Sequence, residues 1–588
     1  MLASALLPGF LAAPDASAGA LHTRGDRQVG RCGAVELVRW GLDPKPGGRP
    51  DAALVVSPVA WRSGGRVPAA EITAAMHGAP ESLTRLSPPF AAVAGDSRGV
   101  TMVADSMGFQ HLFHSPPGAA RMPLLSSSAL VAGAVADAPL DETAVAVQAF
   151  LGWQLGQRTL FRDVTKLAPG TVARLDSHGV SVRGAQSRRE HELDRHTAVL
   201  QAAGILRASV NALLDEHPDA VLQLTGGMDS RLLLSAIPTS RRKGLHAMTL
   251  EIPGAGDVAL ARALAARDGL RHDVRGLDDL ADLPAYEAWQ LCRAESTRVD
   301  AMCDPVALAA QRVAERGFAQ GVRISGLGGE VARGFYYTGA VKDRTYTRAD
   351  AARLAAWRMF VNDAVEPEML EPGFLRWARD VAVGAVHDAL TEAGAEWFRA
   401  TDALYLRHRM QRWAGPTDMA GGVDRVILNP MLDPAFVDVA MRVRPHDKQN
   451  SRFLAELQVE LDTELAGIPL EGRAAPAAYA NPTSAQAWTQ TLRTGRKAAR
   501  KAVQILRRGV RAPAGGTVIA AKVVTHWRAH PHLLVDLSGG GVVSQAYLQR
   551  LLDEDVEPRP SSVAFLTNLI VASGADRQGE VGGIETSS

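Results

Sequence analysis

The sequence predicts an α+β N-terminal domain dominated by strands, followed by an α/β domain with an open, mostly parallel sheet and then a helical C-terminal region. Three observations carry this reading. Residues 51–180 break into short apolar runs punctuated by Gly and Pro. From about residue 190 the apolar spacing becomes helical, and compact apolar runs then alternate with helix-like stretches. Beyond about residue 345 helical spacing dominates. Alternating strands and helices argue for a parallel sheet. The change near 190 and a helical C-terminal extension with a basic patch divide the chain into residues 1–190, 191–480 and 481–588, within the two to four domains that 588 residues suggest.

In chain order, MLASALLPGFLAAPDASAGA (1–20) is apolar and faintly resembles a signal peptide, without the positive start such a peptide carries. AALVVS (52–57), FAAVAGD (90–96), GVTMVAD (99–105) and TVARLD (171–176) read as strands, and ETAVAVQAFLGWQL (142–155) as a helix. HELDRHTAVLQAAGILRASVNALL (191–214) has helical spacing. AVLQL (220–224), LHAMTLEI (245–252) and GVRIS (321–325) are compact strands, and VALARALAARDG (258–269) is a helix ending on glycine. The basic stretch 493–511 reads as a solvated helix face or as a contact for phosphate, RNA or an acidic partner, and the tail GGIETSS as disordered.

Composition narrows the function. A net charge of +1 provides no global field for nucleic acid or an anionic membrane. No run of about twenty apolar residues offers a membrane span. Cys32, Cys292 and Cys303 have neither CxxC pairing nor metal-ligand spacing, so a reducing cytoplasm is the simplest compartment. The sixteen histidines include no HExxH, which speaks against a transition-metal site.

TGGMDS (225–230) lies between a strand and the helix-like RLLLSAI. Gly226 and Gly227 remove side chains, so backbone N–H groups can approach a phosphate. The helix start adds its positive dipole end, and Thr225 and Ser230 add hydroxyls. Asp229 beside such a cradle makes chemical sense with a Mg²⁺ ion between carboxylate and phosphate. The bland alternative is a glycine turn with Asp or Ser as a helix cap. No GxxxxGK[ST] loop is present. SGLGGEVARG (325–334) repeats the logic: Gly326, Gly328 and Gly329 free the backbone, Glu330 places a second carboxylate at a strand end, and Arg333 can pair with phosphate or carboxylate.

These residues resemble the asparagine synthetase family, whose pyrophosphate loop reads Ser-Gly-Gly-x-Asp-Ser. Thr225 stands for the first Ser, and Glu330 for the Asp of the family's second signature. The resemblance implies an adenine nucleotide α hydrolase-like ATP-pyrophosphatase domain at 191–480, with Leu224, Thr225, Gly226, Gly227, Met228, Ser230, Leu250, Asp257, Gly326, Gly328 and Gly329 around ATP. It implies Asp229 and Glu330 on Mg²⁺, and a nucleotide border running from Asp257 through Ala263 to His272. NPMLDPAFVDVA (429–440) is similar to the family's Pro-Phe-Leu-Asp segment. AVAGDSRGVTMVADSMGFQHLFH (92–114) and RTLFRDVTKLAPGTVARLD (158–176) are similar to its glutaminase, an Ntn-hydrolase-like domain.

Two departures matter. The family's glutaminase uses a cysteine at position 2, where this chain has Leu2, and Cys32 could serve only after processing. The family's lysine after Ile-Pro is missing from AGIPLEGRAAPAAYA (466–480), leaving Arg473 or Lys448 as substitutes. The resemblance then points to glutaminase-deficient members such as β-lactam synthetases and lasso-peptide macrocyclases. These adenylate a carboxylate with ATP and transfer it to an amine, with a precursor-peptide protease or carrier as a conceivable partner. Tyr336, Tyr337 and Glu295 are candidate bases by position, and Arg407, Arg409 and Arg412 offer either an anion contact or a packed helix face. A glutamine-dependent asparagine synthetase with a different start and a non-catalytic nucleotide-binding subunit remain as alternatives.

Overall fold

The computed structural model describes residues 5–575 apart from 15–26, 43–52, 58, 63, 119–121, 185–190, 253–255, 338–339, 481–511, 536 and 538–539. The basic stretch at 493–511 and the tail therefore lie outside the described residues.

Two antiparallel sheets stack in the N-terminal part. The first runs Thr165–Lys166, Phe113–His114, Leu125–Ser126, Gly9–Ala13, Val35–Trp40, Gln28–Cys32. The second runs Gly179–Gly184, Thr171–Asp176, Gly99–Ala104, Ala91–Asp96, Leu54–Val55. Strand alternation sends Phe10, Ala12, Val35 and Leu37 of the first sheet against Val93, Val100, Met102 and Leu175 of the second. The opposite face of the first sheet, with Leu11, Val38 and Trp40, is covered by helices. These include Ala285–Arg298, Pro305–Ala314, Gly516–Ala529 and Pro560–Ser573, so C-terminal helices roof an N-terminal sheet. Helix Ala69–Gly78 covers the far face of the second sheet through Ile72 and Met76. The layers thus run helix, sheet, sheet, helix. Within the apolar N-terminal run, Gly9–Ala13 is a buried strand paired on both sides. The helix expected over 142–155 stops at Leu151, because Gly152 takes a left-handed conformation (φ 71°) that caps it.

The second half is built on five parallel strands, ordered Arg271–Arg275, His246–Leu250, Val221–Gln223, Val322–Ile324, Val426–Leu428. Counted along this part of the chain the order is 3-2-1-4-5. The connections leave the first strand in opposite directions, so the loops after strands one and four part and open a crevice at their carboxyl ends. Val221, Leu222 and Ile324 are buried, as strands covered on both faces require. Val426–Leu428 interrupts the otherwise helical region expected after 345.

Contrary to the expectation of no candidate span, helix Arg195–Glu216 is long and apolar enough to cross a membrane by length and composition alone. It packs Ala202, Leu206, Val210 and Leu213 into the main core, and Arg207 reaches the Glu460 carbonyl at 2.7 Å. It is a core helix.

One buried cation ties the crevice together. Arg231, on helix Met228–Ala236, is fully buried and donates to the carbonyls of Ile468 and Pro469. It thereby anchors the segment that carries Glu471 and Arg473 beside the first loop. Replacing Arg231 with Met removes two charge-assisted hydrogen bonds to the Ile468 and Pro469 carbonyls, costing about 3 kcal/mol. Hydrogen exchange across 468–475 should accelerate strongly in this variant; protection equal to wild type would show that the anchor is dispensable.

Candidate functional site

The loop after the first strand is a knot of short hydrogen bonds. Thr225 N–H donates to Ser230 Oγ at 3.0 Å, and Gly227 N–H donates to Thr225 Oγ1 at 3.1 Å. Gly226 N–H donates to Asp257 Oδ1 at 2.8 Å. The two glycine N–H groups expected to face phosphate are thus held by side chains in this structure. The Asp257 carboxyl is pushed up by burial, with Glu471 adding to the rise. Glu471 itself accepts the Gly256 N–H at 2.6 Å. Sequence reasoning missed Glu471, since no motif marks it; its only signal was position, two residues before Arg473.

The second loop presses on the first. A methyl group at Gly326 would stand 2.9 Å from the Ser230 nitrogen, and one at Gly329 would stand 2.3 Å from Asp229 Oδ1. Only glycine allows this approach. Gly328 lies against Met431 and Leu432 of the 429–440 segment, whose Asp433 caps the helix Pro434–Arg442.

The contact brings the two expected carboxylates together around one guanidinium. Arg333 Nη2 is 2.7 Å from Glu330 Oε1 and 3.4 Å from Asp229 Oδ2. Asp229 Oδ1 and Glu330 Oε2 are buried with no hydrogen-bond partner. Buried oxygens left without donors are uncommon, and two of them in one crevice suit a hard divalent cation such as Mg²⁺. No third His, Cys, Asp or Glu joins them among the described residues, so phosphate oxygens and water must complete the shell. Burial pushes the Asp229 carboxyl up to about 7, against the pull of Arg333 and Arg473 and with Glu330 adding to the rise. Arg473 is therefore close enough to act on Asp229.

The remaining expected residues divide. Leu224 and Met228 have buried side chains, which leaves only their backbone for a ligand. Leu250 is the last residue of its strand, paired with Arg275. His272 shares a 2.8 Å hydrogen bond with Thr249 Oγ1, which donates to the Leu224 carbonyl at 2.6 Å, so it braces the strand ends.

Several expectations need correction. Lys448 is fully buried, with Nζ 2.7 Å from Asp402 Oδ2, and the Tyr337 hydroxyl donates to the same oxygen at 2.9 Å. That ion pair holds Lys448 in the packed interior. The Tyr337 hydroxyl is driven far up by burial and by Asp402, which removes it as a base. Glu295 is buried in a cluster with Arg298 and Arg312. Arg412 is buried and donates to the carbonyls of Gly156 and Arg158, so it stitches two segments together. Arg407 is exposed. Tyr336 is buried, and Arg409 packs 4.7 Å from the Trp413 ring.

Cys32 ends an edge strand, paired with Val35 and pressed against Gly95. Its thiol is pushed up by burial and by Asp96, opposite to what a nucleophile needs. Processing that exposed Cys32 as a chain start would also remove the buried strand Gly9–Ala13 from its sheet.

Residues 201–454 match the family model for asparagine synthase. The match marks this part of the chain as an ATP-using ligase that joins carbon to nitrogen and forms AMP. No curated protein matches the chain.

Asp229 carries a pH signature. Its folded-state value lies above the ordinary 3.8, so the folded protein retains a proton that the unfolded chain releases. The contribution of this group to stability is complete below about pH 4 and is lost as pH rises towards 7. Without metal or nucleotide, Asp229→Asn should therefore gain in melting temperature over wild type as pH rises through that window. Parallel pH profiles would contradict this.

Proposed function

We propose that the crevice binds Mg²⁺–ATP, adenylates a carboxylate and passes the acyl group to an amine without using glutamine. The carrying observation is the pair of orphaned oxygens on Asp229 and Glu330, on loops of adjacent strands at the point where the strand order reverses.

The proposed chemistry has two steps. A substrate carboxylate oxygen attacks the α-phosphorus of ATP. The bond to the bridging oxygen breaks and pyrophosphate leaves. Asp229 and Glu330 would hold Mg²⁺, which neutralises charge building on pyrophosphate. Arg333, fixed by both carboxylates, and Arg473 add positive charge to the same region. The N-terminus of helix Met228–Ala236 points its dipole there. In the second step an amine attacks the acyl carbon, the bond to the adenylate oxygen breaks, and AMP leaves while the amine loses a proton.

Two features support the glutaminase-deficient reading. The helix–sheet–sheet–helix layers of the N-terminal part are compatible with an Ntn-hydrolase-like scaffold, and its half-buried Cys32 is a suppressed thiol within a hairpin. The domain division at 190 and 480, a cytoplasmic location, and a peptide or specialised-metabolite substrate with its own amine belong to the same proposal.

Incubation with Mg²⁺–ATP, hydroxylamine and a panel of carboxylic acids tests it. Expected are hydroxamate, AMP and pyrophosphate in equal amounts, no stimulation by glutamine, and loss of all three products in Glu330→Gln. Formation of ADP and phosphate, or full activity in that variant, would overturn the proposal.

A further inference from the structure

The first glycine loop should offer its amides to phosphate, yet two carboxylates of the chain already occupy amides there. Gly226 N–H donates to Asp257 Oδ1 at 2.8 Å, and Gly256 N–H donates to Glu471 Oε1 at 2.6 Å. Both amides lie at the starts of helices, Met228–Ala236 and Asp257–Asp268, and neither helix has a capping side chain. Amides at helix starts carry the positive end of the dipole and suit an anion. A carboxylate on a backbone N–H takes the place that a phosphate oxygen would take.

Glu471 reaches the loop from the tip of a tight turn. Arg473 N–H donates to the Leu470 carbonyl at 3.1 Å, and Gly472 between them takes a left-handed conformation (φ 59°). Arg231 holds the carbonyls of Ile468 and Pro469 just before the turn, and Glu471 N–H donates to the Gly226 carbonyl at 3.4 Å. The backbone of the turn is thus tied down, while the Glu471 side chain is exposed and can rotate without moving it. That side chain lies close over the loop. A methyl group at Gly226 would stand 3.3 Å from Glu471 Cβ, and one at Gly256 would stand 3.2 Å from Glu471 Oε1. Burial and then Glu471 drive the Asp257 carboxyl up, and no Lys or Arg among the described residues acts to lower it. Two adjoining acids without a cation are held by their amide donors, and an arriving polyphosphate repels both. Their displacement breaks no ion pair at Asp257.

We propose that the Glu471 side chain is a latch on the phosphate cradle. In the free protein it holds the Gly256 N–H and keeps Asp257 on the Gly226 N–H. When the polyphosphate of Mg²⁺–ATP arrives, Glu471 rotates into solvent, Asp257 releases Gly226, and phosphate oxygens take both N–H groups. No covalent bond changes. The latch rests on the adenylation reading and adds to it a phosphate contact, the Gly256 N–H, and a positioning residue, Glu471. Only the open fraction of the protein binds, so the latch sets the apparent affinity.

The test measures by calorimetry the dissociation constants of pyrophosphate and of a non-hydrolysable ATP analogue, each with Mg²⁺, on full-length wild type, Glu471→Ala and Glu471→Gln. Alanine removes the latch and should tighten both ligands about tenfold, the worth of one charge-assisted hydrogen bond. Glutamine keeps an acceptor for the Gly256 N–H without the charge, so binding should stay within about twofold of wild type. Equal tightening by alanine and glutamine would overturn the proposal in favour of plain charge repulsion. Unchanged or weaker binding in Glu471→Ala, or its failure to fold, would overturn it in favour of a brace that shapes the loop. If neither wild type nor Glu471→Ala binds the ATP analogue, the adenylation reading fails and the latch with it.

Discussion

The candidate site depends on one close approach. The backbone of Gly329 lies so near Asp229 that a single methyl group would overlap the carboxylate. That contact exists because Val221–Gln223 and Val322–Ile324 are neighbours in the sheet although about a hundred residues separate them in the chain. The 3-2-1-4-5 order makes them neighbours and opens their loops onto one crevice. Two carboxylates with orphaned oxygens, one bridging guanidinium and one helix N-terminus then meet without further machinery.

The electrostatics of that meeting are unfavourable in the free protein. Burial and mutual repulsion outweigh Arg333 and Arg473 at Asp229, as its raised proton affinity records. A structure selected for stability alone would neutralise this pair; a cation and a polyphosphate would relieve it. The supporting shell is made elsewhere: Arg231 fixes the segment bearing Glu471 and Arg473, and His272 and Thr249 fix the strand ends.

Much of this was legible in the sequence because it is local. The strands at 221, 246 and 322 announce themselves as short apolar runs, and both glycine loops are read directly from TGGMDS and SGLGGE. Long-range pairing is not local, and the sequence does not display it. Nothing in a string of residues shows that Asp257 takes the Gly226 N–H, or that Glu471 returns across more than two hundred residues to close on Gly256. Lys448 and Glu295 were plausible by residue type, but burial against Asp402 and against Arg298 and Arg312 turns them into structural ion pairs. The π-helical turns Ala355–Met359 and Tyr405–Ala414 carry no motif that sets them apart from the helices around them. Cys32 was ambiguous until pairing placed it inside a hairpin.

The central claim is that Asp229 and Glu330 form a Mg²⁺-dependent nucleotide site. The most direct measurement is thermal stability during a Mg²⁺ titration with a non-hydrolysable ATP analogue, in wild type and in Asp229→Ala. Wild type should gain about 2.7 kcal/mol of stability at a hundred times the dissociation constant, and the variant none. Equal stabilisation of both proteins, or stabilisation without Mg²⁺, would contradict it.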